Sequence, residues 1–210
     1  MTIDNKKARI ILEDGKEYSA NVIHDNMGGM SLDISGLRKE TGYITYDPGF
    51  MNTGSCMSSI CYIDGEKGIL RYRGYDLEDL VSKCDFIEVA YLMVKGTLPN
   101  LEERTKYMQL LNKHSLLHVN MKQFLRNYPS DAHPMSILTA MVASLSAFYP
   151  ELEERDPEEN IDLTVTRLLS KMRTIAAYTY RQMNGLEFID PRHDYSYCQN
   201  FLNMMFHTSV

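Results

Sequence analysis

Arg167 and Lys171 stand one helical turn apart in a long stretch of apolar-periodic sequence. Like charges at that spacing repel mildly on a helix. Two cations held together call for an anion, either a carboxylate from elsewhere in the chain or a phosphate on a ligand. Tyr149 and His114 are the kind of residues that complete such a site, and spacing alone leaves both readings open. His114 and His118 are also four residues apart, so both could face one metal ion. Their H-S-L-L-H stretch lacks the glutamate of a zinc protease motif and shows no third ligand, so two ordinary helix histidines are the simpler reading. Cys56 follows Gly54-Ser55 in a loop-like stretch. A nucleophilic cysteine needs a base or a positive charge beside it, which sequence proximity does not supply, and a small half-buried thiol is expected. No glycine-rich phosphate loop, dinucleotide fingerprint or nucleophile elbow occurs. The fourteen methionines read as core filler.

The elements that must position these residues change character along the chain. Arg9–Leu12 and Tyr18–Ile23 are short β-prone stretches, and Asp14-Gly15 between them suits a turn with positive φ. Gly28-Gly29 marks a break, and Gly42–Tyr46 is a third β-type run that stops at Asp47-Pro48-Gly49. Cys61–Ile63 and Gly68–Tyr72 are expected to pair across Asp64-Gly65.

After Gly74 the punctuation becomes helical. Asp76 with Asp79, Asp85 with Glu88, and Asn100 with Glu103 each read as an N-cap followed by an acidic residue at the third helical position. Helices are predicted at about 76–83, 86–95, 101–113 and 117–127. His133-Pro134 opens another, over about 135–148. Its Met135, Leu138, Met141, Val142, Leu145 and Phe148 form an apolar face, and Ser136, Ala140, Ala143 and Ala147 a small-residue face. Burial on both sides is expected, because small residues admit a second helix closely. Glu151–Asn160 reads as a charged, solvated connector. Asp156 then caps a long helix running to Met183, with Pro157 and Glu159 in its first turn. Ile161, Val165, Leu168, Met172, Ile175, Ala176, Thr179 and Met183 are its expected inner face. A last helix starts near Ser196, and the apolar face formed by Phe201, Leu202 and Met204 to Phe206 lacks a partner. The expected organisation is a β-rich region over 1–74 and a helical region over 75–210, mainly α as a whole.

Composition narrows the function classes. With 22 basic and 28 acidic residues the net charge is −6, against a general nucleic-acid binder. No apolar run reaches the ~18 residues that span a bilayer. The first residues show no signal-peptide pattern, and Cys56, Cys61, Cys84 and Cys198 lack metal-type spacing. A cytoplasmic protein with reduced thiols is expected.

Several motifs carry a family resemblance. Gly42–Phe50, Asn52–Cys56 and Ile63–Tyr75 closely resemble citrate synthase, specifically the bacterial subtype with an N-terminal β extension, usually a hexamer. The likeness continues in order through Ser130–Met135, Arg167–Met172 and Asn200–Phe206. It implies a citrate synthase-like helical large-domain half with a small β-rich N-terminal region. It also implies an enzyme that condenses acetyl-CoA with oxaloacetate to citrate and CoA in the tricarboxylic acid cycle. In that family an aspartate removes a methyl proton, one histidine stabilises the enol, another polarises the oxaloacetate carbonyl, and arginines hold the carboxylates.

Those groups belong to the family's second half. Its W-G-P-x-H-G-G-A-N, G-F-G-H-x-V-Y and P-N-V-D-F-x-S-G stretches do not occur here, so no residue is assigned a catalytic role. The expectation is the N-terminal half of a citrate synthase, inactive alone, with the missing C-terminal half as a partner. The resemblance further implies self-association as a dimer or hexamer, through the helices over 135–148 and 157–183. No cofactor is required, but some hexameric members are inhibited by NADH at a separate site. His114, Tyr149, Arg167 and Lys171 match positions of that site. The match departs from the family at Lys113-His114-Ser115, at His193 and at Val210, where a reactive cysteine is usual. Two alternatives stand beside this reading: a 2-methylcitrate synthase, whose relatives generally lack the β extension, and a non-catalytic assembly or NADH-binding module.

Overall fold

A computed structural model describes residues 2–149 and 157–207, with side-chain environments for 7–149 and 161–207. The chain forms two compact units, Met1–Ser58 and Ser59–Val210.

The first unit is an antiparallel meander of β1 (Thr2–Ile11), β2 (Glu17–His24) and β3 (Met30–Asp33), followed by the short helix α1 (Leu37–Thr41). Gly15 takes φ +80° in the β1–β2 turn, as the Asp14-Gly15 pair predicts. Alternate residues of β2 point inward, so Tyr18 and Ala20 are buried with Leu37 of α1, and Ile10 and Ile34 pack against them. Gly42–Tyr46 does not form the expected strand. Gly42 instead ends α1 in the left-handed region, and the Tyr43 N–H donates to Thr41 Oγ1. β-prone residues need a strand to pair with, and none among the described residues pairs here. Asp47-Pro48-Gly49 is the expected turn. The Asp47 carboxylate accepts from the Met51 and Asn52 N–H groups and from Thr53 Oγ1, which holds its pKa down.

The second unit opens with β4 (Cys61–Asp64), β5 (Ile69–Tyr72) and β6 (Tyr75–Asp76), paired antiparallel in that order. Cys61 faces Tyr72 and Asp64 faces Ile69, the pairing expected across the Asp64-Gly65 turn. Among the described residues seven helices follow: α2 (Leu77–Lys83), α3 (Phe86–Lys95), α4 (Leu101–Lys113), α5 (Val119–Arg126), α6 (Pro134–Phe148), α7 (Pro157–Met183) and α8 (Tyr197–Phe206). Capping boxes at Asp85–Glu88, Asn100–Glu103 and Ser196–Gln199 satisfy backbone N–H groups at the starts of α3, α4 and α8. Asp76 stands at the N-cap of α2 as expected, but its carboxylate accepts from Arg71 Nε at 2.7 Å and makes no cap bond. The expected cap at Asp156 and the charged connector before it lie outside the described residues.

α7 is the axis of this unit, in contact with α4, α5, α6 and α8. The largest core cluster joins Leu117, Met121 and Leu125 to Ile137, Met141 and Leu145 of α6 and to Ile175 and Tyr178 of α7. The expected single apolar face of α7 needs correction. Ile161 and Met172 are exposed, whereas Thr166, Ser170, Lys171, Arg173, Thr174, Thr179 and Arg181 are buried. Neighbours on several sides leave little of the helix for solvent, so polar residues are enclosed along with apolar ones. α6 is corrected in the opposite sense. Ile137, Met141 and Leu145 are buried, but Ser136, Ala143 and Ala147 are open within this chain. On α8 Met204 is fully buried, while Leu202 and Phe206 remain about half exposed (55% and 54%).

Candidate functional site

Three helix ends meet beside the middle of α7. α4 terminates at His114, its C-cap residue. A linker, Ser115 to Leu117, then leads to His118, the N-cap of α5. α6 ends at Tyr149, its C-cap residue. Carbonyls at a helix C-terminus and in the linker after it have no intrahelical partners, and here α7 supplies donors. Ser170 Oγ donates to the Leu111 carbonyl. Thr174 Oγ1 donates to the Ser115 carbonyl at 2.7 Å, and Lys171 Nζ to the Leu116 carbonyl at 2.7 Å. Ser170, Lys171 and Thr174 are all buried, and Lys171 is only 3% exposed. The positive ammonium at the end of α4 also suits the negative end of that helix.

The same ammonium lies 4.2 Å from the centroid of the Tyr149 ring, and the Arg167 guanidinium lies 5.5 Å from it. Both distances are within cation–π range. The ring face, negative in its quadrupole, thus brings together two cations that would otherwise repel. Next to Tyr149, Phe148 packs against the His118 imidazole with centroids 5.3 Å apart. The His118 Nδ1 in turn accepts from the Asn120 N–H and caps α5. Of the residues singled out from the sequence, Tyr149, Arg167 and Lys171 come together around one ring. His114 enters through the backbone, one residue before the Ser115 carbonyl held by Thr174.

His114 and His118 flank the linker and do not share a helix face, so the two-histidine metal reading loses its geometry. Among the described residues no group of three His, Cys, Asp or Glu is placed to hold a metal ion. Cys56 is exposed rather than half-buried, and Cys61, Cys84 and Cys198 are also free thiols.

Sequence reasoning passed over Ser170 and Thr174. The signal was present: Thr166, Ser170 and Thr174 repeat every four residues and draw a polar stripe along one face of α7. Also unforeseen was the clamp on the segment after α7. Tyr178 and Lys122 both donate to the Asp190 carboxylate, Lys122 at 2.6 Å, and Phe188 stacks on Tyr178 at 4.6 Å. Burial pushes the Tyr178 phenol far up, and the bond to Asp190 adds to this. Burial pushes Asp190 up as well, but its bonds from Lys122 and Tyr178 outweigh that and leave its pKa lowered. Arg181, buried, donates to the Met204, Met205 and His207 carbonyls and so closes the end of α8. Arg173 is buried too, with its guanidinium 4.4 Å from the Tyr197 ring centroid, and burial lowers its pKa.

A mainly helical unit wound around one long central helix, preceded by small antiparallel sheets, defines the structural class. Comparison supplies the family. The family model described as citrate synthase, C-terminal domain, matches residues 49–210. The structure is similar to citrate synthase from Pyrobaculum aerophilum, with TM-score 0.69 and 34% identity over 88% of this chain and 44% of that one. It is similar to citrate synthase from Thermotoga maritima MSB8, with TM-score 0.67 and 31% identity over 77% of this chain and 42% of that one. A third likeness is to the Thermoplasma acidophilum enzyme in ternary complex with carboxymethyl coenzyme A and oxaloacetate. There the TM-score is 0.68, with 26% identity over 73% of this chain and 40% of that one. The chain belongs to the citrate synthase family. It spans less than half the length of these solved relatives.

For NADH, the effector that the resemblance implies, the chemistry at the junction fits. Two cations beside an aromatic ring suit a phosphate and a flat ring. The fit has a condition, because the Lys171 ammonium already donates to Leu116.

Proposed function

We propose that this chain works within a citrate synthase that condenses acetyl-CoA with oxaloacetate, giving citrate and CoA in the cytoplasmic tricarboxylic acid cycle. The observation that carries this reading is the family match over residues 49–210. The complex of the Thermoplasma acidophilum relative with carboxymethyl coenzyme A and oxaloacetate supports these substrates. The chain's share is the framework. Removing a methyl proton needs a positioned base, and the developing oxyanion needs preorganised donors. The family stretches that carry these groups do not occur in the 210 residues, so the chain alone is read as inactive. The open small-residue face of α6 is read as a self-association surface, of a dimer or a hexamer, since small residues let a second helix approach closely. The test is thiol release from acetyl-CoA plus oxaloacetate by the purified chain, with propionyl-CoA in a parallel arm. No release by the chain alone is expected. Turnover by the chain alone at an ordinary enzymatic rate overturns the framework reading, and a preference for propionyl-CoA moves the substrate to the 2-methylcitrate reaction.

A second reading concerns regulation. The placement of Arg167 and Lys171 around Tyr149 supports a nucleotide phosphate there, with His114 two residues before the Leu116 carbonyl that Lys171 holds. Saturable NADH fluorescence that is lost in Arg167→Ala is expected. A signal unchanged in that variant removes the assignment.

A further inference from the structure

Arg173 carries a positive charge that its surroundings answer only in part. The residue is 4% exposed. Its Nη1 donates to the Tyr197 carbonyl at 3.3 Å, while Nε and Nη2 are enclosed and have no hydrogen-bond partner. Those two nitrogens share one edge of the guanidinium, the fork that receives both oxygens of a carboxylate-like anion. No carboxylate among the described residues answers it: burial pulls its pKa down, and the groups that push it back up are Tyr197 and Cys198. The guanidinium is also fixed in place. The Tyr197 ring, 4.4 Å from it, is held by a stack on Phe86 at 4.5 Å and by its own hydroxyl, which donates to the Leu169 carbonyl at 2.7 Å. Leaving charged donors of a buried group unpaired is costly, so the empty fork points to an anion.

Cys198 is the neighbour that can become one. The Tyr197 carbonyl that accepts from Nη1 is joined by its peptide bond to Cys198, the second residue of α8. The Cys198 thiol is exposed. The Ser196 hydroxyl caps the Gln199 N–H, so a negative charge at Cys198 also meets the positive end of α8. We propose that Cys198 is an oxidation site for hydrogen peroxide, and that its sulfinate occupies the Arg173 fork and ties the start of α8 to α7. The Cys198 thiolate attacks one oxygen of the peroxide; an S–O bond forms, the O–O bond breaks and hydroxide leaves, giving the sulfenic acid. Its proton passes to the hydroxide, making water. The sulfenate sulfur attacks a second peroxide in the same way and gives the sulfinate and a second water. Sulfur is oxidised and peroxide reduced in each step. A sulfinate has two oxygens and one negative charge, the complement of the fork, and a guanidinium already in place stabilises that charge as it develops.

The test treats the whole chain with hydrogen peroxide and follows sulfinate at each cysteine by peptide mass spectrometry. Cys56 and Cys61, also exposed thiols, are the internal references. Sulfinate is expected at Cys198 at least about fivefold faster than at either reference. The oxidised protein is expected to melt at a higher temperature than the reduced one, a rise that Cys198→Ser, treated alike, does not show. Arg173→Met keeps a similar volume and removes an uncompensated buried charge, so it is expected to fold. Its Cys198 is expected to oxidise at the reference rate, with no rise in melting temperature. Arg173→Lys, which keeps the charge and loses the fork, is expected to retain part of the rate and none of the rise. Cys198 oxidising no faster than Cys56 and Cys61 in the unaltered chain overturns the proposal without any variant. Unchanged Cys198 oxidation in a folded Arg173→Met protein overturns it as well. Fast oxidation that leaves the melting temperature unchanged or lowered overturns the fork as the seat of the sulfinate.

Discussion

The two sides of α7 are built from different materials. Towards α5 and α6 it presents Ile175 and Tyr178, packed with Met121, Leu125, Ile137 and Met141. Towards the end of α4 it presents Ser170, Lys171 and Thr174, each donating to a backbone carbonyl. The apolar side gains free energy in proportion to area, without the directionality of a hydrogen bond. The polar side gains little net energy per bond but fixes position, because each buried carbonyl left without its donor is costly. One helix therefore holds the unit together on one side and sets the path of the chain on the other.

The comparison can be broken by substitution. Met141 is fully buried at the centre of the apolar side. Met141→Ala is expected to lower stability by about 2–5 kcal/mol, read from urea unfolding, with the larger values if the site cannot collapse. On the polar side, Thr174→Val keeps the volume and removes the donor. The Ser115 carbonyl then stays buried without it, and a loss of about 1–3 kcal/mol is expected. A loss above that of Met141→Ala would reverse the assigned roles. Away from both sides, Asn100→Ala removes the capping box of α4 and is expected to cost about 1 kcal/mol. The smallest effect is at the clamp after α7. The Asp190 pKa is lowered in the folded chain, so its contribution is present above the unfolded value near 4 and is lost as pH falls through the lower folded value. Asp190→Asn is expected to lose that small stabilisation near neutrality and to change little in acid, which flattens the acid limb of a stability–pH profile below about pH 4. An unchanged acid limb would remove Asp190 from the account.

Much of the helical unit was legible before any coordinates. Capping residues with an acidic third position located α3 and α4, and His133-Pro134 located α6, because these signals are local and lie within one turn. The β-prone run Gly42–Tyr46 misled, since a strand exists only by pairing and pairing is not written in the run itself. The short helix α1 has no side-chain cap bond to announce it. The expected inner face of α7 failed for a different reason. Periodicity picks out one apolar stripe, whereas α7 is enclosed on several sides and buries Thr166, Ser170, Lys171 and Thr174 as well. At the candidate site the pair Arg167 and Lys171 was legible as two cations seeking a partner. One partner of Lys171 is a backbone carbonyl fifty-five residues earlier, a contact that carries no side-chain signature.

The central claim is that the polar side of α7 acts as one unit in setting the linker. A double-mutant cycle on Lys171→Met and Thr174→Val, measured by urea unfolding, tests it directly. If both hold one linker, the loss in the double variant differs from the sum of the single losses by about 0.5–3 kcal/mol. Losses that add to within about 0.3–0.5 kcal/mol would show two independent contacts and contradict the claim.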